Sequence, residues 1–434
     1  MRYLALAADY DGTLASHGRL LAETRAALVR LRESGRKLIL VTGRELDELR
    51  SICSDLDLFE LVVAENGAVV YRPSDNQVQL LAAAPPDELI DAIRRRGVDR
   101  LSLGRVILAT WEPHETAVLE AIRDAGLEYH LIFNKGAVMV LPAGVTKATG
   151  LAAALAKLGL SCHNVVGVGD AENDHAFLTM CECSVAVSNA IDALKQHADL
   201  VTAADHGAGV VELIEHLLAD DLAGLEPRLV RHHVLLGTAD DGSEVRIPPY
   251  GGNLLVAGSS GSGKSTLATA FVERLADAGY QVCIIDPEGD YKVMENFVAL
   301  GAAESAPTVE ELAELLKKSD INVAVNLVGV RKPDRPTLFL SLFARVQEMR
   351  VHKGRPHWLV VDESHHVLGA SREPASRVAP EHFDSMMFIT VEPASLAGAV
   401  LDACDTVIAV GDDPAETLRQ FSERRQLPAP EVAR

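Results

Sequence analysis

Two segments that directly follow short apolar runs constrain the fold of this 434-residue chain more than any other feature. Residues 9–13 (DYDGT) follow the apolar run 3–8, and residues 258–266 (GSSGSGKST) follow the run 253–257. A short apolar run that ends in polar residues is typical of a buried parallel strand, whose carboxyl end is where such sheets bind ligands. Both halves of the chain therefore predict α/β domains built on parallel sheets.

The first half repeats this pattern several times. Apolar runs at 37–41 and 164–168 lead into Thr42 and Asp170, and Lys147 opens a segment with helical periodicity. Because parallel strands end at the same edge of a sheet, Asp9, Thr42, Lys147 and Asp170 are predicted to lie together.

These residue types match the needs of phosphoryl transfer through a carboxylate. Asp9 could attack phosphorus if a divalent ion offsets its charge, and Asp11 could protonate the leaving oxygen and later deprotonate water. Thr42 and Lys147 could hold the phosphoryl oxygens as negative charge spreads over them. Asp170 adds a carboxylate for the metal.

The same residues, with AENGA at 64–68, GDAEND at 169–174 and the segment 187–201, resemble the haloacid dehalogenase (HAD) phosphatases of the Cof-type, sucrose-phosphatase-like branch. The resemblance implies a Rossmannoid three-layer core, Asp9 as nucleophile, and Asp11 as general acid/base. It also implies Mg²⁺ on the Asp9 carboxylate, the Asp11 carbonyl and Asp170. Supporting roles would fall to Gly43, Arg44, Asn66, Asn173 and Asp174.

The spacing between motifs leaves room for a substrate-selecting cap only after the third strand. The cap is predicted as a small α/β unit at 83–141, with Arg105, His114, Asn134 and Lys135 as its polar candidates. The predicted divisions are a phosphatase core at 1–82 and 142–218, a linker at 219–227 and a second domain at 228–434.

The second half carries a nucleotide-binding P-loop. In the Gly-x4-Gly-Lys-Ser pattern, backbone amides surround the phosphates of ATP, Lys264 reaches the β and γ oxygens and Ser265 reaches Mg²⁺. A second apolar run at 358–361 ends in Asp362, predicted to hold Mg²⁺ through water, and Glu363, predicted to polarise the attacking water. The predicted nucleotide-binding residues are Gly258, Gly261, Gly263, Lys264, Ser265, Thr266 and Asp362.

DPEGDY at 286–291 and DESHH at 362–366 resemble the HerA/FtsK group of ATPases, specifically HerA-like domains with a RecA-like fold. Relatives of this type are hexameric motors that translocate DNA. Where they present Thr-Gln-Arg-Pro, this chain has Thr390-Val391-Glu392-Pro393. Because Val391 is apolar and cannot orient water, ATP binding is better supported than fast hydrolysis.

Composition limits the partners. The formal charge of −21 is shared by both halves and disfavours a diffuse grip on nucleic acid or an anionic membrane. A local pore lined by the cluster Arg345, Arg350, His352, Lys353 and Arg355 is an alternative to a solvated helix face. No apolar run approaches the ~20 residues of a membrane span. With six scattered cysteines in apolar surroundings, the chain is predicted to be cytoplasmic with reduced thiols.

Three hypotheses follow. The first is a Mg²⁺-dependent phosphatase for a small sugar phosphate or phospho-acid, fused to a module that binds ATP. The second is a HerA-like, hexameric DNA motor or end-processing enzyme with an attached phosphatase. The third is an ATP-gated scaffold in which both sites only bind ligand. A homo-oligomer formed through the second domain stays open under each.

Overall fold

The computed structural model describes every residue except 17, 293, 371–382 and 429–434. The chain divides into two compact units, Met1–Arg231 and His232–Arg434. The segment 219–227, predicted as the linker, belongs to the first unit. Leu222 within this segment and Leu229 just after it are both buried in the hydrophobic core of that unit.

Fourteen strands and eight α-helices are described in the first unit. The strands are β1 (Ala5–Ala8), β2 (Ala15–Ser16), β3 (Arg19–Leu20), β4 (Lys37–Val41), β5 (Leu61–Ala64), β6 (Val69–Arg72), β7 (Gln77–Leu80), β8 (Ser102–Leu103), β9 (Leu108–Trp111), β10 (Tyr129–Asn134), β11 (Ala137–Pro142), β12 (Val165–Gly169), β13 (Cys183–Ala186) and β14 (Leu200–Val201). The helices are α1 (Ala22–Glu33), α2 (Leu46–Ile52), α3 (Asp87–Arg95), α4 (Glu115–Ala125), α5 (Lys147–Leu158), α6 (His175–Met180), α7 (Asp192–His197) and α8 (His206–Asp220).

The main sheet of the first unit has the strand order β14-β13-β12-β1-β4-β5-β6-β7. The strands from β14 to β5 are parallel, and β6 and β7 extend the sheet as antiparallel strands. Strand β1 lies centrally and is fully buried, so its ALAA sequence can be apolar on both faces. This order brings the ends of β1, β4 and β12 together at one edge.

A second, antiparallel sheet of order β10-β11-β9-β8 forms the cap. Helices α3 and α4 cover one of its faces, with Leu89, Val118 and Val140 in the shared apolar core. Strand β9 of this sheet begins at Leu108. The backbone of residues 105–107, directly before this strand, bonds to the main core.

The second unit is a parallel sheet of order β19-β20-β18-β21-β22-β17-β23, preceded by the hairpin β15-β16. Its strands are β15 (Val234–Thr238), β16 (Glu244–Ile247), β17 (Leu254–Ala257), β18 (Val282–Asp286), β19 (Phe297–Leu300), β20 (Asn322–Asn326), β21 (Trp358–Val361), β22 (Met386–Thr390) and β23 (Thr406–Ala409). Its helices are α9 (Lys264–Asp277), α10 (Val309–Leu316), α11 (Arg335–Lys353), α12 (His365–Leu368), α13 (Gly398–Ala403) and α14 (Pro414–Arg424).

Two members of the basic cluster considered as pore-lining have structural partners instead. The Arg350 guanidinium donates to the carbonyls of Pro356 and Asp384, at 2.8 and 2.6 Å. Arg355 is buried and donates to the Leu316 carbonyl at 2.6 Å. These cations close loops and do not present a basic surface. Within the described part of the chain, no helix is both long and apolar enough to span a bilayer.

Candidate active sites

The loop after β1 carries Asp9 into the interior of the first unit. Asp9 is 4% exposed, and its backbone N–H donates to the Val168 carbonyl of the neighbouring strand at 3.0 Å. Gly12, at φ +88°, lies so close to Asp170 that a Cβ atom would come within 2.3 Å of its Oδ2. Only glycine therefore lets the loop pass beside the second carboxylate.

Lys147 bridges two buried carboxylates. Thr146 caps helix α5 with a reciprocal capping box, which fixes Lys147 at its first turn. The Lys147 Nζ donates to Asp9 Oδ1 at 2.6 Å and to Asp174 Oδ1 at 2.5 Å. The other oxygen of Asp174 accepts the backbone N–H groups of Asp170 and Ala171, each at 2.9 Å. Asp174 thus holds the loop and the lysine together.

The electrostatics of this cluster favour an added cation. Burial and the neighbouring Asp174 carboxylate raise the pKa of Asp9 well above its usual range, although Lys147 opposes them. Burial also raises the pKa of Asp170, against its hydrogen bond from Lys135. Carboxylate oxygens of Asp9, Asp170 and Asp174 lie within 4.8 Å of one another. Three hard oxygen donors at this spacing fit a Mg²⁺ ion.

Asp11 lies outside that cluster and pairs with an arginine. The Arg44 guanidinium donates to both oxygens of Asp11, at 2.5 and 2.8 Å, and to Glu48 at 2.5 Å. Thr42 is buried, and its Oγ1 accepts the Arg44 N–H at 3.2 Å. The segment after β4 therefore carries the predicted phosphoryl-binding residue Thr42, then Gly43, and then Arg44, which holds the predicted acid/base Asp11 on the loop after β1.

The cap contributes a cation that the sequence pattern did not single out. Lys135, at the turn between β10 and β11, places its Nζ 2.6 Å from Asp170 Oδ2. Thr13 Oγ1 donates to the other oxygen of Asp170 at 3.0 Å. Sequence reasoning treated Lys135 as one of four equivalent polar cap residues. The turn sequence Asn134-Lys135-Gly136 was the available signal, and Lys135 has a φ of +49° in that turn.

Of the other three cap candidates, only Asn134 lines the cavity between cap and core. Arg105 pairs with Asp47 at 3.2 Å on the core surface, and His114 precedes helix α4 without capping it.

The AENGA segment joins the cap to the core. Glu65 is buried and accepts the backbone N–H groups of Arg105, Val106 and Ile107 at 3.0, 2.8 and 3.1 Å. Asn66 Oδ1 accepts Asn173 Nδ2 at 2.9 Å. The predicted supporting residues Asn66 and Asn173 therefore connect the β5 loop to the β12 loop.

A cavity of 660 Å³ separates the cap sheet from the core loops. Asp9, Asp11 and Thr42 lie in its floor, and cap residues form the opposite wall. Nucleophile, acid/base and phosphoryl-binding candidates thus open into one space that is large enough for a small organic phosphate.

The second unit places the glycine-rich loop between β17 and α9. Gly258 approaches β23 so closely that a Cβ atom would lie 1.9 Å from the Val410 carbonyl oxygen. Helix α9 begins at Lys264, whose Nζ donates to the Ser259 carbonyl at 2.9 Å. Ser265 and Thr266 are exposed in its first turn. Exposed hydroxyls, backbone N–H groups and the helix dipole make this a ready anion site.

Two acidic residues end strand β21 beside it. Burial raises the pKa of Asp362 to about 7 and raises the pKa of Glu363 as well. Glu363 has φ +36°, and its Oε2 lies 3.3 Å from His365 Nδ1. Val391, at the predicted sensor position after β22, is 36% exposed.

These folds and sites define a two-part α/β protein: a capped Rossmann-like core with a buried carboxylate cluster, then a P-loop unit. The chain belongs to the haloacid dehalogenase-like hydrolase family, whose profile matches residues 6–103 and 106–214. Residues 252–336 match the family described as the central domain of the helicase HerA. These matches confirm the predicted fold class and the predicted family of each half.

Relatives of the first half are named phosphoglycolate phosphatases. One from Methanothermobacter thermautotrophicus is 31% identical over 223 residues, which are 49% of this chain and 98% of the relative. Another, from Pyrobaculum aerophilum, is 32% identical over 49% of this chain and 95% of its own length. A solved haloacid dehalogenase-like hydrolase from Bacteroides thetaiotaomicron covers 50% of this chain and 99% of its own, at 19% identity and a TM-score of 0.44.

Proposed function

We propose that the first unit hydrolyses a small phosphomonoester through an aspartyl-phosphate, with Asp9 as the nucleophile. The observation that carries this proposal is the buried Lys147, which contacts both Asp9 and Asp174 beside the open cavity. The names of the phosphoglycolate phosphatase relatives support a small phospho-acid as one substrate candidate, and a sugar phosphate is the other.

In the first step, an Asp9 oxygen bonds to phosphorus as the bond to the leaving oxygen breaks, and Asp11 gives that oxygen its proton. In the second step, water bonds to the phosphorus of the acyl phosphate and Asp11 takes a proton from the water. The bond between phosphorus and the Asp9 oxygen breaks, which releases inorganic phosphate and restores the Asp9 carboxylate. Arg44 holds the Asp11 carboxylate in place between these steps.

Asp9 and Asp170 would hold a Mg²⁺ ion, with Asp174 behind them, and the ion would supply charge compensation to the nucleophile and the phosphoryl oxygens. Lys147 keeps Asp9 oriented toward the cavity, while Thr42 and the N–H groups after β4 bind the phosphoryl group. The cap sheet excludes water from the cavity.

The test is release of inorganic phosphate from a panel that includes 2-phosphoglycolate and glucose 6-phosphate, with Mg²⁺ and with a chelator. Asp9→Asn should reduce release by roughly 10³-fold or more, because a neutral amide replaces the nucleophilic carboxylate. The exposed Asp57→Asn is the matched control and should keep full activity. Equal activity of Asp9→Asn and wild type would refute the assignment of Asp9 as the nucleophile.

For the second unit, we propose ATP binding at the loop 258–266. The HerA match supports this assignment, and the exposed Ser265 hydroxyl and the Asp362 carboxyl are the candidates for a Mg²⁺ ion held with the nucleotide. A hexameric motor that acts on DNA is the second candidate function, favoured by the same match. It predicts that duplex DNA stimulates ATP turnover and that light scattering finds a hexamer.

A further inference from the structure

The wall of the cavity opposite Asp9 is one face of the cap sheet. Along β9, Leu108 is buried against the cap helices, whereas Trp111 is 57% exposed. Ala109 and Trp111 pair across the strands with Met139 and Ala137, and all four line the cavity. The indole therefore stands on the substrate side of the sheet.

An arginine next to β9 lines the same cavity as this indole. Thr110 is 2% exposed, and its Oγ1 donates to the Arg100 carbonyl at 2.8 Å, which continues the pairing of β8 with β9. Arg100 lines the cavity, and among the described residues its side chain has no hydrogen bond or ion pair. By contrast, the other cavity arginine, Arg44, is engaged by Asp11 and Glu48.

The cavity keeps its 660 Å³ although the cap already touches the core on two sides. Lys135 contacts Asp170 at one side, and Glu65 binds the backbone N–H of Val106 at the other. Pockets of about 300–1,000 Å³ hold ligands of drug size. A two-carbon acid bound at Asp9 is small compared with this cavity and would leave most of its volume unfilled.

We propose that Trp111 and Arg100 form the leaving-group subsite and that it takes a ring-shaped leaving group. The ring stacks on the indole, and an oxygen on the ring accepts from Arg100. Asp99 also lines the cavity, so the charge beside Arg100 is offset and a hydroxylated ring is favoured over a second acidic group. This subsite deepens the proposed phosphatase function and rests on it for its kinetic test.

The kinetic test compares two cyclic esters, glucose 6-phosphate and phenyl phosphate, with two acyclic ones, glycerol 3-phosphate and 2-phosphoglycolate. Trp111→Ala should lower kcat/KM about five- to tenfold for both cyclic esters, mainly through KM, and leave the acyclic ones unchanged. Trp111→Phe should keep most of the wild-type kcat/KM for the cyclic esters, because phenylalanine still offers an aromatic face. Arg100→Gln should cost about fivefold for glucose 6-phosphate alone, and Arg94→Gln, an exposed cap arginine outside the cavity, is the control.

Binding without turnover separates this proposal from the proposed function. The chain has two tryptophans, and Trp358 is fully buried, so quenching of the exposed indole reports on Trp111. In the Asp9→Asn variant, the cyclic esters should quench this fluorescence, and the acyclic ones should not. Such quenching with no wild-type phosphate release would sustain the subsite and refute the phosphatase. No quenching by either cyclic ester, or equal quenching by the acyclic ones, would overturn the subsite.

Discussion

Lys135→Met is expected to tighten the binding of Mg²⁺ to the first unit. The change removes the ammonium that contacts Asp170 Oδ2 at 2.6 Å and keeps an unbranched stem of similar length. Lysine and methionine meet the same backbone strain at φ +49°, so the hairpin between β10 and β11 should keep its shape. The substitution therefore isolates the charge of the cap residue.

The magnitude follows from the exposure of the contact. Because a divalent cation on Asp170 must displace the ammonium, the free energy of that contact is subtracted from the binding of the ion. The Lys135 side chain is 52% exposed, so the pair belongs near the upper end of the exposed range, about 1 kcal/mol. That free energy corresponds to a Kd about fivefold lower in the variant.

Isothermal titration of the full chain with MgCl₂ measures this Kd, and Asp170→Asn identifies which part of the heat belongs to the site. Lys157→Met makes the same charge change at the far end of helix α5, about 15 Å from Lys147 along the helix. Screening should leave its Kd at the wild-type value. An unchanged Kd in Lys135→Met, or an equal shift in Lys135→Met and Lys157→Met, would refute the idea that Mg²⁺ and the Lys135 ammonium compete for Asp170.

Three further predictions concern stability and nucleotide binding. Glu65→Ala should lower the free energy of unfolding by about 3 kcal/mol, because three backbone N–H groups lose their acceptor; urea denaturation measures it, and Glu65→Gln should lose less. Burial alone would lower the pKa of His163, but hydrogen bonds with Cys162 and Glu182 raise it from 6.5 to about 9. Stability from this charged imidazole is full below pH 6.5 and is lost as pH rises through 9, so the urea midpoint should fall over that range, and His163→Gln should remove the slope. Lys264→Ala should abolish binding of a fluorescent ATP analogue, and the exposed Lys318→Ala should not; retained binding in Lys264→Ala would exclude the predicted P-loop site.

The sequence predicted best what depends on the ends of strands. Asp9, Thr42 and Asp170 each follow an apolar run, and the parallel order of β12, β1 and β4 brings those ends to one edge. The P-loop and Asp362 follow the same rule in the second unit. Apolar runs and the polar residues that end them predict the position of each strand end locally. Once the parallel sheet assembles, these strand ends lie at the same edge.

What could not be predicted depends on contacts between distant segments. Arg350 and Arg355 appeared as a basic cluster, but their guanidinium groups close loops around β21 by donating to carbonyls. Glu65 appeared in the sequence only as part of the AENGA motif, and its role as acceptor for the backbone before β9 depends on the folded chain. Charge patterns in sequence show which residues are ionised, and folding alone decides whether they face solvent, backbone or one another.

The two lysines of the carboxylate cluster illustrate how such contacts can carry function. Lys147 is fully buried and belongs to the core, so its charge on Asp9 and Asp174 is permanent. Lys135 is half exposed and belongs to the cap, so its charge on Asp170 is available only while the hairpin rests on the core. If Mg²⁺ takes over Asp170, the cap loses one of its polar contacts to the core, whereas the Glu65 contacts remain. We therefore expect hydrogen exchange of the backbone at 133–137 to rise when Mg²⁺ is added, with no change at 105–107. Unchanged exchange at 133–137 would mean that the ion and Lys135 do not compete.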